Sequence, residues 1–206
     1  MKENKKAKKV VALLLCAVLL VVGSVTGTMA YLTSKATVTN TFTVGNVAIT
    51  LDEKNVDGKD AGGIDNTSEI RDKANKYPLL PGATYVKDPI VHVAAGSESC
   101  WVFVKVLNGL EGIESQASGY YSIDTQIAGN GWSSYTTVDD AEVYYKYHAK
   151  SDNQTDLPVF ASFTIDSDIN NTTLDGYKDK TIELTAYAIQ SDGLDVDDAW
   201  NAVKSL

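Results

Sequence analysis

Residues 99–107 read Ser-Cys-Trp-Val-Phe-Val-Lys-Val-Leu. In an extended chain, Cys100, Val102 and Val104 fall on one face and Trp101 and Phe103 on the other. Aromatic and β-branched residues favour strand. Apolar side chains on both faces predict a strand in the middle of a sheet that is covered on both sides. Downstream, 142–148 (EVYYKYH), 158–165 (PVFASFTI) and 181–189 (TIELTAYAI) alternate in the same way. Residues 120–127 and 132–137 are predicted as shorter strands, separated by Gly129-Asn130-Gly131. Upstream, 84–93 (TYVKDPIVHV) reads as a strand whose Pro89 marks an edge or a bulge. Phe42, Val44, Val47, Ile49 and Leu51 nearly alternate, interrupted by Gly45-Asn46 as a bulge or turn. Between them, 54–76 is polar, with Asp57-Gly58 and Gly62-Gly63, and reads as a loop or insertion. At the end, 195–203 (DVDDAWNAV) carries acids before apolar residues and predicts a short helix with its acids at the positive end.

About eight strands, Gly-rich turns and no interspersed helical periods predict an all-β fold. The expected form is one antiparallel jelly-roll-like β-sandwich over 31–206, with a short C-terminal helix, following a signal helix at 1–30. No internal repeat is visible. The 206 residues carry 18 Lys+Arg and 27 Asp+Glu, for a net charge of −9. Lys2, Lys5, Lys6, Lys8 and Lys9 against Glu3 put +4 in the first 30 residues, which leaves −13 for the other 176. A body this acidic repels phosphate backbones and predicts no nucleic-acid partner.

The basic start, the 13-residue apolar run 10–22 (VVALLLCAVLLVV) and the small residues up to Thr28-Met29-Ala30 read as a secretory signal peptide. Cleavage between Ala30 and Tyr31 is expected, so the membrane is a partner only before processing. A retained anchor is the alternative, because 10–34 is uncharged, but thirteen helical residues span about 20 Å against a core of roughly 30 Å. Without a Leu-Pro-x-Thr-Gly sorting signal, the processed protein is expected to be released or held by assembly. Of the two cysteines, Cys16 lies in the leader, so Cys100 is the lone thiol of the body. That excludes an internal disulfide there and disfavours a Cys₂His₂ zinc site.

Candidate chemistry is sparse. His-Glu-x-x-His and Gly-x-Ser-x-Gly are absent. His92 and His148, 56 positions apart on predicted strands, are the candidates for zinc, with Asp88 or Glu142 near them in sequence. Their plainer reading is as ordinary strand residues. Asp57, Asp60, Asp65 and Asp192, Asp195, Asp197, Asp198 are candidate calcium groups, but they lack EF-hand spacing and read as solvated loop and cap acids. Neither zinc nor calcium is assigned. Cys100 reads as a buried structural thiol. Tyr120, Tyr121, Trp132, Tyr135, Tyr144, Tyr145 and Tyr147 are candidates for a sugar platform, although alternation sends some of them to the core. Residues 31–51, rich in Thr and Val and uncharged apart from Lys35, form a strand able to complete either its own sheet or a neighbour's.

Four features in order resemble the TasA/camelysin family of exported Gram-positive proteins. They are the leader ending Gly27-Thr28-Met29-Ala30-Tyr31-Leu32-Thr33, and 39–51 (TNTFTVGNVAITL), similar to the family's first mature strand. Leu80-Pro81-Gly82 with Lys87-Asp88 and the strand from Cys100 to Val106 is the third. Thr185-Ala186-Tyr187-Ala188-Ile189-Gln190 leading into the Trp200 helix is the fourth. The resemblance implies a jelly roll processed by a SipW-type signal peptidase. It also implies either fibres of the biofilm matrix, formed with itself or related matrix proteins by N-terminal strand donation, or a metalloendopeptidase activity. The expectation is therefore a secreted structural protein of the cell surface or matrix, whose assembly strand carries Phe42, Val44, Val47 and Ile49. A camelysin-like metalloendopeptidase and a carbohydrate- or host-binding surface protein are the alternatives.

Overall fold

The computed structural model describes residues 47–56, 71, 73 and 75–206, and the backbone alone at 33–37, 40–41 and 72. Ala30 and Tyr31, the leader, Phe42, Val44 and the acids Asp57, Asp60 and Asp65 lie outside the described residues. All described residues belong to one compact unit, 32–206. Its strands are β1 (Thr33–Thr37), β2 (Asn40–Thr41), β3 (Ile49–Lys54), β4 (Arg71–Asp72), β5 (Thr84–Val86), β6 (Ile90–Val93), β7 (Cys100–Asn108), β8 (Ser133–Val138), β9 (Ala141–His148), β10 (Thr155–Pro158), β11 (Ser162–Thr164) and β12 (Ile182–Gln190). Among the described residues three short α-helices accompany them, α1 (Ile123–Gly129), α2 (Asn171–Asp175) and α3 (Val196–Val203), with a 3-10 turn at Glu111–Ile113. None of these helices is long and apolar enough to cross a membrane.

Every ladder between these strands is antiparallel. A six-stranded sheet runs β2-β1-β12-β7-β9-β8, a four-stranded one β10-β6-β3-β4, and β11 pairs with β5. The fold is thus all-β with a few short helices. Strand β7 lies inside the large sheet between β12 and β9, as its two apolar faces require. Cys100, Val102, Val104 and Val106 face a core shared with Ile49, Leu51, Val91 and Val93 of the four-stranded sheet. Phe103 faces a second core with Val143, Tyr187 and Ile189, closed by Ala199, Trp200 and Val203 of α3. Each fully buried Val, Leu, Ile or Phe contributes about 1.5–3 kcal/mol, so these two stripes hold α3 and the smaller sheets to the large one.

The helices correct two expectations. Residues 120–127 do not form a strand. Ser122 caps α1, its Oγ accepting from the Thr125 N–H at 3.2 Å. Ile123 and Ile127, four apart, are both buried, while Tyr120 and Tyr121 are exposed. The segment alternates as a strand would, but the cap and the i, i+4 pair win because they give the backbone donors partners at once. Gly131, at φ 79°, then turns the chain into β8. Helix α2 breaks the expectation of no interior helices: Asn170 Oδ1 accepts from the Thr173 N–H at 2.9 Å, and Leu174 is buried.

Two predicted single strands are each divided. Pro89 separates β5, which joins β11, from β6, which joins β3 and β10. Pro158 ends β10, and the buried Val159 and Phe160 cross to β11. Proline has no amide donor for a ladder, so the strand changes sheet where it stands. The predicted C-terminal helix is present, with Asp195 as its cap: its Oδ1 accepts from the Asp198 N–H at 2.9 Å.

Candidate functional site

The edge of the large sheet is built from both ends of the domain. Strand β1 lies along β12 with Thr33 opposite Ile189 and Ala36 opposite Ala186. It therefore covers 186–189 only. The first half of β12, 182–185, has β7 on one side and no strand on the other among the described residues. That uncovered edge faces a cleft of about 820 Å³ whose opposite wall includes Leu51, Asp52 and Glu53 of β3. On that side β3 is paired, among the described residues, only by β4, at Glu53 and Lys54. Phe163, Leu110 and Leu184 supply apolar floor, and Lys73, Lys76, Lys178 and Lys180 also line the cleft.

A buried ion pair closes the floor. Alternation along β3 turns Ile49, Leu51 and Glu53 inward, so Glu53 is carried into the core by its apolar neighbours. Lys87, just after β5, meets it: Nζ donates to Glu53 Oε2 at 2.5 Å, with side-chain exposures of 9% and 6%. Asn75 Nδ2 donates to the other carboxylate oxygen at 2.9 Å. Both oxygens of Glu53 are thus satisfied, as a buried charge requires.

The outward residues of the same strands form a second polar cluster. Asp52 of β3, His92 of β6 and Asp156 of β10 stand side by side across the sheet. His92 Nδ1 lies 2.6 Å from Asp156 Oδ1, and Nε2 lies 3.0 Å from Asp52 Oδ1. Arg71, the single arginine of the chain, donates to Asp52 through Nε and reaches Asp88 Oδ2 at 3.3 Å. Its Nη2 also donates to the Asp52 and Asp88 carbonyls at 3.2 and 3.0 Å. Burial disfavours the His92 cation, but the hydrogen bonds and charges of Asp156 and Asp52 outweigh it and raise its pKa. The hydrogen bond from His92 in turn lowers that of Asp156.

His148, on β9, is buried in the other sheet, and desolvation alone lowers its pKa. The two imidazoles therefore tilt stability in opposite directions. A raised folded pKa at His92 contributes stability that is complete below the unfolded value of 6.5 and is lost as pH rises through the folded value. A lowered folded pKa at His148 contributes stability that is complete above 6.5 and is lost as pH falls toward the folded value. In urea unfolding from about pH 5 to 9, His92→Gln should remove the alkaline decline and His148→Gln the acidic one. Parallel pH profiles for wild type and both variants would contradict this assignment.

The structure does not bring His92 and His148 together as a metal pair. Both nitrogens of His92 are engaged by aspartates, Asp88 binds Arg71, and Glu142 accepts from Thr137 Oγ1. Among the described residues no group of three or more His, Cys, Asp or Glu is placed to hold a metal ion. The second acidic group serves α3 and its surroundings: Asp195 caps the helix, Asp197 accepts from Tyr135 Oη, and Asp192 from Gln190. Cys100 is fully buried, and burial pushes its thiol up to about 12.

The aromatic residues split between the faces of the large sheet. Tyr135 and Tyr145 pack around Phe103, while Tyr144 donates to Asp124 on the other face. Trp132 is buried, its Nε1 donating to the Pro158 carbonyl at 2.8 Å. Only Tyr120, Tyr121 and Tyr147 among them are strongly exposed. Val47 and Ile49, expected on the assembly strand, are 0% and 1% exposed in the domain's own core.

Sequence reasoning did not single out Glu53, Asp52, Asp156 or Arg71, nor the bare edge at 182–185, and it named Lys87 only as part of the family resemblance. One signal was present: Glu53 sits two residues after Leu51 and four after Ile49, on the inward register of β3. No protein-family model, curated protein or solved structure matches the chain.

Proposed function

We propose that this is an exported structural protein of the cell surface or biofilm matrix, a jelly-roll relative of the TasA/camelysin proteins, which assembles into fibres by exchanging its N-terminal strand. The observation that carries the reading is the edge of β12. Its second half is completed by β1 of the same chain, and its first half opens onto a cleft between two sheet edges. A β1 from a second copy would make the same backbone bonds at 186–189 that it makes at home. Exchange therefore conserves those bonds, and a head-to-tail contact that does not close on itself propagates a fibre.

Val47 and Ile49 are anchored in their own core, so the exchanging element is β1 with the segment leading to β3. A leader still attached to Tyr31 would extend the donor strand with charged and apolar residues, so cleavage by a SipW-type peptidase would time assembly after export. The −13 body opposes association, which salt or lower pH should favour.

The test is light scattering and electron microscopy of protein beginning at Tyr31, beside a form beginning at Val47 and a form carrying Ser34→Pro and Ala36→Pro in β1. The first should form fibres and the other two should not, with circular dichroism reporting that each variant retains its strands. Equal assembly by all three, or none by the first across salt and pH, would remove strand exchange.

A further inference from the structure

The interior of the large sheet holds one arrangement that neither the assembly edge nor the polar cluster uses. Cys100 of β7 and His148 of β9 are direct partners across the ladder. Side chains at directly opposed positions share a face, with Cβ atoms about 4.5–5.5 Å apart. Cys100 is 0% exposed and His148 6%. His148 Nε2 is buried without a hydrogen-bond partner, the one such side-chain atom among the described residues. A buried polar atom left unpaired costs about 1–3 kcal/mol and calls for a missing partner. From this pair of opposed, buried soft and borderline donors we infer that Cys100 and His148 form a two-coordinate site for a monovalent soft cation, Cu(I) or its redox-inert analogue Ag(I).

Charge and coordination number select the ion. Binding replaces the thiol proton, which leaves to solvent, and forms a metal–sulfur bond. One thiolate and one neutral imidazole around a +1 ion give a complex of zero net charge. Such a complex enters an apolar core without an uncompensated charge, whereas Zn²⁺ on the same two ligands would leave +1 buried. Zinc also requires about four ligands, and among the described residues no third His, Cys, Asp or Glu joins this pair. The groups nearest along the two strands are already occupied. Lys146, on the same face of β9, donates to the Asn130 carbonyl at 2.6 Å. Gln190, opposite Cys100 on β12, donates to Asp192 Oδ2 at 3.2 Å. Thiolate and imidazole are the ligand types that select Cu(I) over harder ions.

The test uses the full chain with Cys16→Ser throughout, so that Cys100 is the sole thiol. Ag(I) is titrated in air, and Cu(I) anaerobically against a chromophoric Cu(I) chelator. The expected result is one ion per chain, a raised unfolding temperature, and an apparent affinity that rises about tenfold per pH unit because one proton is released per ion. Cys100→Ser and His148→Gln should each weaken binding by at least about tenfold, the loss of a ligand, and Zn²⁺ should not compete. Circular dichroism and unfolding of the metal-free variants report whether each still folds. Cys100→Ala serves in place of Cys100→Ser should the buried hydroxyl unfold the domain. Absence of binding by the parent, undiminished binding by the folded variants, or equal affinity for Zn²⁺ would each overturn the site.

Discussion

Lys87→Met is expected to destabilise the domain by about 3–5 kcal/mol, the range for removing one partner of a buried ion pair. The loss comes from what remains. Glu53 is carried inward by the alternation of β3, and without Lys87 it is a carboxylate at 6% exposure whose remaining partner among the described residues is Asn75. Glu53→Gln should cost less, because an amide buried beside the ammonium keeps a hydrogen bond, although Lys87 is then uncompensated. The double change Glu53→Met with Lys87→Met should recover most of the loss and can exceed wild-type stability, since apolar side chains of similar volume carry no desolvation penalty. Guanidinium or urea unfolding of wild type, Lys87→Met, Glu53→Met and the double variant forms a complete cycle, with Glu53→Gln measured beside it. A single-mutant cost below about 1 kcal/mol would place the pair in the class of solvent-bathed surface bridges and would mean that water in the adjoining cleft screens it.

Trp200→Ala should be comparable, about 3–5 kcal/mol for truncation of a buried tryptophan. Trp200 is the main anchor of α3, an eight-residue helix too short to persist alone. Its ring centroid lies 5.3 Å from Phe103, 5.8 Å from Tyr187 and 6.2 Å from Tyr135. The change empties the space between helix and sheet and exposes Phe103 and Ile189. Tyr135 would also lose a ring neighbour, leaving its hydrogen bond to Asp197 as its tie to the helix. Near-ultraviolet circular dichroism should collapse together with the stability, because the aromatic cluster loses its fixed geometry. Asp197→Asn is the control: it weakens only the exposed Tyr135 contact and should leave both signals nearly unchanged. A Trp200→Ala protein within about 1 kcal/mol of wild type would show that α3 is not held by this ring.

The elements that the sequence alone determined are those whose period admits one reading. Strands β7, β9 and β12 alternate over eight or nine residues with apolar residues on both faces, and no helix satisfies that pattern. The C-terminal helix was equally plain, since its acids precede Ala199, Trp200 and Val203 at helical spacing. Segment 120–127 was ambiguous, because Ile123 and Ile127 satisfy both a two-residue and a four-residue period. The cap at Ser122 decided it, and a cap is visible only once the backbone donors have a geometry to satisfy. Pro89 and Pro158 were legible as interruptions, but a missing amide does not say which sheet the chain joins next.

The polar groups depended wholly on tertiary structure. Glu53 and Lys87 are 34 positions apart, and Asp52, His92 and Asp156 span more than a hundred. Nothing local distinguishes them from other acids and bases of an acidic surface. They meet because antiparallel pairing sets β10, β6 and β3 in register and because a strand's two faces are fixed by its apolar residues. The pairing of Cys100 with His148 has the same origin. For the N-terminal strand the composition of 31–51 established that it would pair, through Thr, Val and an almost complete absence of charge. Its partner was decided by the fold, since strand pairing uses backbone groups that every residue carries. Among the described residues β1 covers only half of the β12 edge, and backbone groups by themselves do not distinguish a strand of the same chain from one of another.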